Sequence, residues 1–73
     1  MHETIELPRY PDVQVTLRSR NRWAVAAAIR IALRRAGKER REIDRFLAEA
    51  LAEEDPRAFR EACRRWVVLR PTA

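Results

Sequence analysis

Between Asp12 and Asn21 the spacing of apolar residues changes from every second position to every third or fourth, and this switch limits the possible folds more than any other feature. In DVQVTLR, Val13, Val15 and Leu17 share one face, while Asp12, Gln14, Thr16 and Arg18 share the other. That alternation predicts a strand with one buried face. From Asn21 onward, Val25, Ile29, Ala32, Leu33 and Ala36 fall at helical spacing, with Arg30, Arg34 and Lys38 along another side.

The ends of the elements are marked by capping and turn residues. Asn21 is suited to cap the first helix, and Gly37, the only glycine, stands where a left-handed residue ends it. Alanines at 24, 26, 27 and 28 make the first turns slender, so another element can approach this backbone closely. A second helix starts near Lys38 or Glu39 and carries Ile43, Phe46, Leu47, Ala50 and Leu51 on one stripe. Arg41, Arg45 and Glu49 form a solvated charge ladder on its far side. Asp55 followed by Pro56 opens a third helix bearing Phe59, Ala62, Cys63 and Trp66. WVVLR then predicts a short strand from about Val67 to Arg70, able to pair with residues 13–18. Pro8 and Pro11 favour an extended entry segment.

These elements give an α+β fold with an N-terminal strand, three helices and a short C-terminal strand pairing with the first. The expected organisation is an extended segment over 1–10, one small domain over 11–70 and a tail over 71–73. The alternative is a ribbon-helix-helix-like dimer in which the strand becomes an intermolecular ribbon, although the third helix and WVVL are then surplus. A 73-residue chain supports only a marginal core, so self-association would help it.

Charge is unevenly placed. Residues 1–41 hold ten Lys and Arg against four acids, a net +6, and residues 42–73 hold six against seven, a net −1. Such asymmetry favours an acidic partner, whether nucleic acid, an acidic protein or an anionic membrane surface. The single cysteine, Cys63, excludes an internal disulfide and a cysteine-based zinc site, which suits a reducing, cytoplasmic setting. MHETIELPRY lacks the bases and apolar run of a signal peptide, and no stretch is long enough to span a membrane.

RYPDVQVTL, N-x-W-A-V, IALRRAG, EIDRFLAEA and CRRWV together resemble a group of small, functionally uncharacterised bacterial and phage- or plasmid-borne proteins. Their pattern is roughly YP-x-V-x-V-x-L, a Gly-Asn-containing loop, a helix ending ALRRAG, an EI-x-x-F-x-x-EA helix and a closing helix into WV-x-V. The likeness covers residues 9–69 and involves mainly core, cap and turn positions. It implies the same fold, with a C-terminal strand, and supplies no activity. Where those relatives carry an acidic or glycine-containing loop before the Asn, this chain has Arg18, Ser19 and Arg20. The resemblance thus implies that phosphate gripping by these arginines is not a job shared across the group.

Two sets of residues are candidates for binding. RSRNRW places Arg18, Arg20, Asn21 and Arg22 at a strand-to-helix junction, where the first helical N–H groups favour an anion. Arg30, Arg34, Arg35, Lys38 and Arg41 form a basic strip able to follow a nucleic-acid backbone, with no aromatic residue interleaved. Each set has a plain structural alternative: a capped turn, and a solvated helix face. Tyr10 and Trp23 are candidate partner contacts, while the simplest place for Trp23, Trp66, Phe46 and Phe59 is the core. His2 has no partner for acid–base work, and Glu53, Glu54 and Asp55 read as capping and solvation. No catalytic residue, metal or cofactor is expected. The sequence therefore describes a small non-enzymatic basic binding protein, either a nucleic-acid-binding accessory protein or a protein-interaction module of the phage or plasmid type that modulates a host machine.

Overall fold

Val13 and Val15 turn into the core while Gln14 and Thr16 face water, and the chain accordingly runs as strand β1, Gln14–Leu17. In the computed structural model, which describes residues 7–71, β1 is followed by helices α1 (Arg22–Arg35), α2 (Arg40–Leu51) and α3 (Pro56–Arg64), and by strand β2 (Val68–Pro71). β2 lies parallel to β1, with Gln14 opposite Val68 and Leu17 opposite Pro71. Parallel strands need a long crossover, and the three helices supply it. The result is the expected α+β arrangement, with the helices packed on one face of a two-stranded sheet. Most of the 1–10 and 71–73 segments lie outside the described residues.

Helix ends follow the residues that mark them. The Asn21 side chain accepts from the N–H of Trp23 at 2.8 Å and of Ala24 at 3.3 Å. At the other end of α1, Gly37 adopts φ +79°, its N–H bonds the Arg34 carbonyl, and Lys38 N–H bonds the Leu33 carbonyl, both at 3.0 Å. This paired bonding is the Schellman motif, which a left-handed residue makes possible. Asp55 caps α3 through Ala58 N–H at 3.0 Å, with Pro56 at the first helical position. Glu39 precedes α2 without a side-chain cap bond.

Phe46, Ile29, Leu33, Val67 and Cys63 are the largest fully buried side chains, and Phe46 meets Trp66 edge-on at 5.9 Å between ring centroids. Val25, Ile43, Phe59 and Ala62 fill the remaining space between the helices and the sheet. Burial of these side chains removes apolar area from water at about 25 cal/mol per Å², the main favourable contribution to a core this small.

Five expectations change. Because β1 pairs within the chain, and α3 and β2 are built into the core, the ribbon-helix-helix plan lacks its premise of a strand paired only with a second chain. The PRYP segment is not extended throughout: Val13 N–H bonds the Tyr10 carbonyl at 3.0 Å, closing a turn for which Pro11 fixes φ. Glu49 is no rung of a solvated ladder, since it accepts from Arg65 Nε and from the Trp66 indole, each at 3.2 Å. α3 stops at Arg64, and Trp66 follows in the turn before β2. Trp23, placed in the core by its residue type, is instead 64% exposed.

Candidate binding surface

The six residues of RSRNRW divide into separate roles. Ser19 Oγ accepts from Asn21 N–H at 3.0 Å, and Asn21 in turn occupies the N–H groups of Trp23 and Ala24. An anion at this helix start would have to displace the cap. Arg22 turns inward: its Nη2 donates to the carbonyls of Leu51 at 3.0 Å and Glu53 at 2.6 Å, and its guanidinium lies 5.3 Å from the Phe59 ring centre. These carbonyls are at the end of α2, where Ala52 stands instead of a glycine, so Arg22 satisfies acceptors the helix leaves open. Its Nε is buried without a hydrogen bond. Arg18 and Arg20 remain exposed.

Trp23 leads to a different grouping. A helix turns about 100° per residue, so Arg30 and Arg34 lie within about 20° of Trp23 around the axis of α1. With a rise of about 1.5 Å per residue, Arg30 stands about 10 Å beyond Trp23 and Arg34 about 6 Å further. All three are exposed. An indole face and two guanidinium groups thus share one stripe.

Beyond the stripe, Arg30, Arg34, Lys38 and Arg40 line a groove of about 560 Å³ between α1 and α2, floored by Ile43 and Leu47. Asp44 is its only acid, 3.8 Å from Arg40. Lys38 also leans away, with Nζ 4.4 Å from the Tyr10 ring centre and 3.9 Å from Asp12. Arg41 is exposed on α2 but does not line this groove. A larger cleft, about 710 Å³, lies between the start of α1 and α3; there Arg20, Arg57, Arg60 and Arg64 alternate with Glu54 and Glu61. With Arg22 the cleft has five bases against these two acids, which offset part of its charge, whereas no acid stands between Arg30 and Arg34 on the α1 stripe.

Tyr10 is committed internally. Its hydroxyl donates to Glu42 Oε1 at 2.8 Å, and its ring packs 6.1 Å from Trp66. The Tyr10 hydrogen bond, then the Arg9 charge, hold the Glu42 carboxyl below its ordinary range, and Arg9 Nη2 closes the cluster 2.8 Å from Glu42. Cys63 is fully buried, and desolvation pushes its thiol up to about 11. A protonated thiol without solvent access has neither the charge nor the approach of a nucleophile. Among the described residues, no three His, Cys, Asp or Glu side chains converge as metal ligands would.

Of the residues singled out from the sequence, the structure brings Trp23, Arg30 and Arg34 together, and leaves Arg18, Arg20 and Arg41 exposed apart from that stripe. Asn21, Arg22 and Tyr10 hold the fold. The i+7 spacing from Trp23 to Arg30 is present in the sequence, but the residue type of Trp23 favours the core and points away from a shared exposed stripe. Comparison with known proteins finds no matching family model, no matching curated protein and no matching solved structure.

Proposed function

We propose that this chain is a non-enzymatic nucleic-acid-binding protein that holds a single strand along α1. The alignment of exposed Trp23 with Arg30 and Arg34 carries the reading. Arg30 and Arg34 contact successive phosphates, and the Trp23 indole stacks on a base, the combination single-strand binding uses. Arg18 and Arg20, exposed just before the same helix, extend the positive field past Trp23. Contacts of this kind read charge and ring faces, so binding is weakly dependent on base sequence and strongly dependent on salt.

The two tryptophans make the test direct. Trp66 is buried and Trp23 exposed, so quenching of emission on adding oligodeoxythymidylate reports contact at Trp23. The reading requires quenching at low salt that disappears in Trp23→Phe. Unchanged emission across the titration at low salt would remove it.

A second reading, docking of a protein on the same stripe, draws on the same exposed indole, because Trp and Arg are the residues that anchor protein interfaces. Under that reading oligonucleotide leaves the emission unchanged, and an acidic protein partner takes the place of the strand.

A further inference from the structure

Among the described residues, β1 is hydrogen-bonded along one edge only. Val68 N–H donates to the Val13 carbonyl at 2.9 Å, and Gln14 stands in parallel register with Val68. In that register Val13, Val15 and Leu17 turn their backbone groups to β2, so the N–H and C=O of Gln14 and Thr16 point to the opposite edge. The far edge of β2 is blunted, because the register turns Pro71 outward and proline has no N–H to offer. β1 has no such protection. Neither Pro nor Lys interrupts Gln14–Leu17, and the groove beside it is floored by Ala28, Ile31 and Ala32 of α1, with Ile31 45% exposed. An open strand edge and an uncovered apolar helix flank therefore form one continuous face.

We propose that this face is covered by a second copy of the chain, its β1 antiparallel to the first about a two-fold axis at Val15. The register is self-selected. Placing Gln14 opposite the partner's Thr16 pairs every outward backbone group on both strands, and no other antiparallel register does so. The same register sets Val15 opposite the partner's Val15 and Val13 opposite the partner's Leu17 on the core side. Just beyond the paired strands it brings Asp12, in the turn before β1, towards the partner's Arg18, in the loop after it, and Arg18 towards the partner's Asp12, so opposite charges meet across a pair of chains that otherwise repel at +5 each. Asp12 is accessible to this contact, its side chain 69% exposed, and its present partner is Lys38, an ion pair at 3.9 Å from Nζ that the contact would share or replace. The slender alanines of α1 let the two helices approach beneath the joined strands. The product is a four-stranded sheet in the order β2, β1, β1, β2, in which only the proline-blunted edges are left open.

Sedimentation equilibrium over a concentration series tests it, with amide exchange by NMR on the same samples. The expected result is a monomer–dimer equilibrium in which exchange of the Gln14 and Thr16 N–H groups slows as concentration rises. Asp12→Arg and Arg18→Asp each raise the dimer dissociation constant by roughly tenfold, two cross-strand pairs turning repulsive at once, and the double variant D12R/R18D returns it towards the starting value. Thr16→Pro removes an outward N–H that the monomer does not use, and abolishes the dimer. A chain that stays monomeric at the highest concentration overturns the proposal. So does a dimer in which the double variant is no better than the singles, or in which Gln14 and Thr16 exchange independently of concentration. Because Asp12 and Arg18 are exposed, the charge series reads out on folded protein even where Thr16→Pro does not fold.

Discussion

Arginine occurs throughout this chain, and its side chains do different jobs according to what they face. Arg22 closes the end of α2 and lies over Phe59, so Arg22→Ala leaves two carbonyls without a donor; the expected loss is about 1–3 kcal/mol in chemical denaturation. Arg30 and Arg34 have no such partners among the described residues, and their replacement by Ser should leave stability within about 0.5 kcal/mol. That contrast was not legible in RSRNRW, because the acceptors of Arg22 are about thirty residues away and appear only once α2 ends beside α1. The Tyr10 hydroxyl is a similar case: its partner Glu42 lies across the fold. The depressed Glu42 carboxyl favours the folded state above its ordinary value of 4.5, and that contribution disappears as pH falls through the lowered folded value. Tyr10→Phe removes the largest cause of the depression. In acid titrations followed by circular dichroism, the variant should be less stable at neutral pH and lose less stability below pH 4.5 than the parent chain.

At the scale of elements, periodicity and caps carried most of the information. Asn21, Gly37, Asp55 and Pro56 were readable because a cap acts through its own sequence neighbours, and each stands at the end it marks. Gly37→Ala tests this independently of packing: nothing lies within 4 Å of an added Cβ, so the whole cost is the left-handed backbone, about 1–2 kcal/mol by thermal unfolding. The parallel sense of β1 and β2 was a different matter. Alternation in DVQVTLR and the β-branched run in WVVLR specify strands but not their direction, which is set by how far three helices carry the chain. Trp23 misled for a related reason. Its residue type favours the core, but its place on α1 is on the side with Arg30 and Arg34, away from the stripe of Val25, Ile29 and Leu33.

For the molecule as a whole, a small buried core fixes a frame on which a basic, aromatic-tipped helix face and an open strand edge point in different directions. The helix face is the proposed nucleic-acid surface, and electrostatics makes the strongest quantitative demand on it. Single-strand binding loses affinity with salt in proportion to the phosphates neutralised, with a slope in log–log form of about −0.7 per contact. The measurement to make is therefore fluorescence anisotropy of a labelled oligodeoxythymidylate against protein concentration over a salt series, comparing the parent chain with Arg30→Ser/Arg34→Ser. The account predicts a steep negative slope that becomes shallower by about 1.4 in the double variant, from two lost phosphate contacts, with unfolding midpoints unchanged. A parent chain that does not bind at low salt, or a slope unmoved by the loss of both arginines, would contradict it.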